Sequence, residues 1–95
     1  DLWTDLQDKL IFAADVRAAL NYVKSGNVDA AIVYMTDGMT EPHLQIRDIV
    51  PLDSYSNISY PAVVVGNENS SLSNGFVDFL LSSEVEQLFY SYGFR

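Results

Sequence analysis

His43 is the only histidine in the sequence, and it sits beside Pro42 in a polar stretch. A nucleophilic triad needs a histidine oriented by a carboxylate next to a serine, on a turn such as G-x-S-x-G, and no such turn is present. A zinc site needs further His or Cys ligands at set spacing, and there is no cysteine at all. His43 therefore reads as a loop residue. The thirteen carboxylates offer pairs such as Glu84 and Glu86, but these read as solvent-facing helix positions rather than an acid–base pair. Neither a Walker A loop nor G-x-G-x-x-G occurs. The residues exclude most enzyme chemistry and predict a protein that is not an enzyme.

One feature does carry chemistry. Asp15 has the type and position of an N-cap, with Val16 as the first helical residue. The first amides of a helix, here Val16, Arg17 and Ala18, have no acceptor within it and lie at the positive end of its dipole, so they attract anions. Tyr34 ends an apolar run and would bring a phenolic donor to the same edge. Two readings stay open at this level. One is an anion site. The other is an ordinary helix start whose amides Asp15 already occupies, with Tyr34 packed for its ring.

The elements that must position these groups follow from hydropathy patterning. Leu2, Trp3, Leu6 and Leu10 suggest a short helix or frayed turn. Lys9–Ala13 reads as a buried strand. The helix from Val16 to about Ser25 carries Val16, Ala19, Leu20 and Val23 on one face, and Gly26 suits its C-terminal cap. Asp29–Met35 is apolar without alternation, the signature of a strand buried on both faces. Strand, helix and strand predict a βαβ unit, and hence an α/β fold with a parallel-type sheet flanked by helices. Thr36–His43 reads as loop. Gln45–Leu52 reads as a strand stopped by Pro51, and Asp53–Ser59 as a linker. Ala62–Val65 is a further expected strand and Gly66–Asn74 a loop. A helix from about Leu72 to Leu81 has Phe76, Phe79 and Leu80 as its stripe. Ser83 and Glu86 mark a second start, with Val85, Leu88, Phe89 and Tyr92 repeating before Gly93.

Ninety-five residues allow one domain, and 48% apolar with 19% charged residues argues against disorder. The net charge of −8 excludes nucleic acid as a favoured partner, because such a chain repels phosphate backbones. No apolar run is long enough to span a bilayer. Asp1–Asp5 is acidic where a signal peptide would be basic.

D-V-R-A-A-L-N-Y-V-K-S-G (Asp15–Gly26), followed by D-A-A-I-V-Y-M-T-D (Asp29–Asp37), resembles the periplasmic molybdate-binding proteins of ABC transporters, within the type II periplasmic binding proteins. Leu2–Leu10, Ile58–Val65 and Phe79–Phe94 agree in order and spacing, so the resemblance covers essentially the whole chain. It implies one lobe, with a return segment, of a two-lobe α/β fold that closes on molybdate or tungstate using neutral hydrogen-bond donors. It maps the Val16 backbone N–H and the Tyr34 hydroxyl onto the oxyanion, with no cofactor and no metal beyond the molybdenum of the ligand. Arg17 follows the family pattern, reads as a solvated surface residue and is not assigned to the anion.

The family's proteins are more than twice this length, so the resemblance implies a C-terminal portion. Residues 1–59 would be the second-lobe βαβ part, and residues 60–95 the return strand and C-terminal helices, in one structural unit. The implied partners are the oxyanion, a membrane permease and the missing N-terminal lobe. Self-association through Phe76, Phe79, Leu88 and Phe89 is a further expectation. The implied location is periplasmic, or extracellular and membrane-anchored. Two alternatives remain: the ligand-sensing domain of a transcription regulator with the same fold, and an interaction domain with no small ligand.

Overall fold

A computed structural model describes residues 1–66 and 71–94. Among these residues five α-helices are formed: α1 (Leu2–Leu6), α2 (Val16–Lys24), α3 (Met35–Met39), α4 (Ser71–Leu80) and α5 (Ser83–Ser91). Short 3₁₀ turns follow α1 at Gln7–Lys9 and occupy Leu52–Ser54. The chain divides into two compact units, Asp1–Ile46 and Arg47–Arg95.

In the first unit, α2 forms where its punctuation places it. Asp15 is extended, and its carboxylate accepts the Ala18 amide at 2.8 Å. At the other end Gly26 adopts φ +76°, a conformation cheap only for glycine. Asn27 N–H then reaches the Tyr22 carbonyl at 2.9 Å and Gly26 N–H the Val23 carbonyl at 3.2 Å, a Schellman closure. Of the predicted apolar face, Leu20 is 2% exposed, and Val16, Ala19 and Val23 are half-buried. The short helix suggested around Leu2–Leu10 is also present, as α1 and the turn after it.

In the second unit, α4 and α5 touch across a sharp turn. The Ser82 hydroxyl, rather than that of Ser83, caps α5 by accepting the Val85 amide at 3.4 Å. Val85 is buried. The far end closes as α2 does: Gly93 has φ +95°, and Phe94 N–H bonds the Phe89 carbonyl at 3.0 Å. The Phe94 ring meets Phe89 edge-on at 5.9 Å and Tyr60 at 5.5 Å, fastening the segment around Tyr60 to the end of α5. Part of the expected Gly66–Asn74 loop lies outside the described residues, and its last four residues, Ser71–Asn74, belong to α4.

The expected α/β fold is overturned. No strand is formed among the described residues, so there is no βαβ unit and no sheet to make one lobe of the expected kind. The reason lies in the hydrogen bonds. A strand exists by exchanging amide and carbonyl bonds with a distant segment. Apart from bonds inside helices, the longest recorded backbone bond runs from Val28 to Tyr22, six positions apart (28 − 22 = 6). The stretches read as strands form no ladder among the described residues, and several of their apolar side chains are exposed: Phe12 is 84% exposed, Ile32 86% and Val65 88%. The Thr36–His43 loop is corrected as well, because its first half belongs to α3.

Leu20→Ala should cost about 2–5 kcal/mol of stability, since it truncates a buried side chain. Phe12→Ala, at an exposed position, should cost under ~0.5 kcal/mol. Chemical denaturation of both variants checks this. Equal losses would mean that the first unit is not organised around Leu20.

Candidate functional site

The two sequence-predicted donors lie at the starts of two neighbouring helices. Val16 opens α2 and is half-buried. Tyr34 is the residue before α3, extended at φ −67° and ψ 141°. Its carbonyl accepts the Asp37 and Gly38 amides, both at 3.1 Å, which turns the chain from extended into helical. Its side chain is not sunk in apolar packing, for the residue is 43% exposed.

Two ion pairs relate the helices. Arg17, the second residue of α2, reaches Asp37 in the first turn of α3, with Nη2 3.2 Å from Oδ1. Lys24, the last residue of α2, meets Glu41 just beyond α3, with Nζ 2.7 Å from Oε1. One pair joins the starts and the other joins the ends, so α2 and α3 run side by side in the same sense. Val16 opens one of these two neighbouring helices and Tyr34 precedes the other. The sheet edge expected to bring them together is absent among the described residues.

Asp15 caps the start of α2. The Asp15 carboxylate engages the Ala18 amide, the third of α2. The Val16 amide, the first, has no acceptor inside the helix. Both carboxylates near the donors are therefore engaged, Asp15 with a helix amide and Asp37 with Arg17. The helix start retains the Val16 and Arg17 amides, and Tyr34 carries a phenolic donor; all are neutral.

The Arg17–Asp37 pair was missed by sequence reasoning. The two residues are twenty positions apart (37 − 17 = 20), and no local pattern links them. His43 is exposed, in line with its reading as a loop residue. Among the described residues, no group of three or more His, Cys, Asp or Glu could hold a metal ion, and no helix is long and apolar enough to cross a membrane. In the second unit an open apolar groove runs between Ala62–Val65 and the Leu72, Phe76 and Leu80 side of α4. It contains neither Val16 nor Tyr34.

Comparison with known proteins gives these residues a context. A family model described as bacterial extracellular solute-binding protein matches residues 1–95. YvgL of Bacillus subtilis, provisionally named an ABC transporter substrate-binding lipoprotein, is 37% identical over 98% of this chain and 36% of its own length. The molybdate-binding protein ModA of Escherichia coli is 33% identical over 97% of the chain and 36% of its own length. ModA of Haemophilus influenzae is 30% identical over 99% and 37%. The chain thus spans little more than a third of the length of these relatives. No solved structure matches it. The relatives are named for what they bind rather than for a reaction, which agrees with the expectation against an enzyme. The resemblance seen in the sequence holds over the full 95 residues, and the chain belongs to the bacterial extracellular solute-binding proteins.

Proposed function

We propose that this chain takes part in capturing a tetrahedral oxyanion, molybdate or its isostere tungstate, for an ABC importer. Capture is reversible hydrogen bonding without chemistry, and delivery is to a membrane permease. It takes place outside the cytoplasmic membrane, in the periplasm or on a lipid anchor. The Val16 N–H and the Tyr34 hydroxyl are donors to the anion's oxygens.

The observation that supports this reading is the Asp15 cap, which takes the Ala18 amide and leaves that of Val16 at the start of α2, the helix that neighbours α3 and so the segment of Tyr34. Two relatives named as molybdate-binding support the choice of anion. Charge supports the choice of donors. A dianion on a −8 chain cannot rely on net attraction, so it needs oriented dipoles that strengthen where water is excluded. A helix N-terminus supplies such a dipole without a counter-ion.

In the full-length protein, Tyr34→Phe removes one hydroxyl and keeps the ring. Molybdate affinity should fall by about 5- to 150-fold, the worth of one hydrogen bond to a charged group, with little change in melting temperature. Unchanged affinity would remove Tyr34 from the site.

Position 16 separates main chain from side chain. Val16→Ala keeps the amide and should alter affinity by less than about 3-fold, whereas Val16→Pro deletes it. Proline is tolerated as the first residue of a helix, and Asp15, at φ −155° and ψ 175°, already has the extended backbone a following proline requires. The proline variant should therefore fold, yet bind at least about 10-fold more weakly than the alanine variant. Calorimetry with molybdate, with thermal melts alongside, decides. Equal binding by two folded variants would mean that the Val16 amide is not a donor.

A further inference from the structure

We propose that the Arg17–Asp37 ion pair determines specificity by keeping the Val16–Tyr34 end of the helix pair electrically neutral toward an incoming dianion. The inference rests on the oxyanion reading above and assigns that site a pair of residues outside its donor set.

The charges around the two donors support it. The Asp37 side chain is only 15% exposed and sits in the first turn after Tyr34, whereas Arg17 is 72% exposed and reaches across from α2 to meet it. Sheltered from water, an unpaired Asp37 would confront the solute with an unscreened like charge. Arg17 cancels that charge and is held by it in turn. A free guanidinium next to the Val16 amide would attract any anion, because charge alone does not distinguish shape or hydrogen-bonding pattern. Asp15 is handled separately, through the Ala18 amide and the positive end of α2. Lys24 is committed to Glu41 at the opposite end of the helix pair. With Arg17 and Asp37 matched, recognition is left to donors that read the positions of oxygens.

Opposite signs for the two single variants are the signature. A unit charge within about one Debye length of a dianion, roughly 10 Å, changes affinity by about four-fold at low ionic strength. In the full-length protein, Arg17→Gln should weaken molybdate binding about four-fold at low salt, with most of the loss recovered at high salt. Asp37→Asn should strengthen it about four-fold at low salt and make chloride a better competitor. The double variant should return to within about 2-fold of the parent, since the two effects belong to one pair. Arg17→Lys retains the charge and should resemble the parent, which controls for any loss of folding in Arg17→Gln. Calorimetry at low and high sodium chloride, for all four variants and Tyr34→Phe, reads these effects. A pair that only braced the helices would weaken binding in both single variants regardless of salt, and that result overturns the inference, as does no effect in either. If Tyr34→Phe still loses affinity in that case, only this inference fails. If Tyr34→Phe binds like the parent, the oxyanion reading fails and takes the inference with it.

Discussion

Helix α2 is fixed at both of its ends and along one side, and the first unit depends on that fixing. Asp15 satisfies an amide at its start, and Gly26 lets the chain turn back to satisfy carbonyls at its finish. Leu20 is buried from its side. The Arg17–Asp37 and Lys24–Glu41 pairs then hold α3 in the same direction beside it. Exposed ion pairs contribute little individually, about 0–1 kcal/mol. The two pairs lie at opposite ends of α2, and α2 and α3 are in contact beside them.

On the proposed reading, this arrangement would reconcile an acidic chain with an anionic solute. Net charge acts at long range and affects encounter, whereas affinity is set by groups within hydrogen-bond reach. Near the proposed donors each carboxylate already has a partner, so the local environment is far less hostile than the total of −8 suggests. A backbone amide carries no charge to be screened and no side chain to be mutated away. A phenol adds direction without charge. Such donors suit a carrier that must also release its cargo, since they avoid the tight grip of a buried cation on an anion.

Helices that carry their own punctuation were legible in the sequence. The cap–stripe–glycine order from Asp15 to Gly26 predicted α2 to within a residue of its end, and Gly93 marked the close of α5. The S-x-x-E spacing found α5 but named Ser83 where Ser82 holds the amide. Helix α3 was missed because M-T-D-G-M has no capping side chain and contains a helix-weakening glycine. The strands failed for a different reason. An apolar run such as Ala30–Val33 records a preference for burial, but pairing requires a second segment, and in the described residues these runs meet none. Val16 and Tyr34 were singled out through a helix start and a resemblance, whereas Arg17 and Asp37 became partners only through the fold.

The account's central claim is that a main-chain amide at the start of α2 holds the anion. Amide NMR of the full-length protein during a molybdate titration tests it most directly. The Val16 amide proton should move strongly downfield and exchange more slowly with solvent as the site fills, while the Ala18 amide, already bonded to Asp15, should change little. A Val16 resonance that stays in place while molybdate saturates the protein would contradict the account.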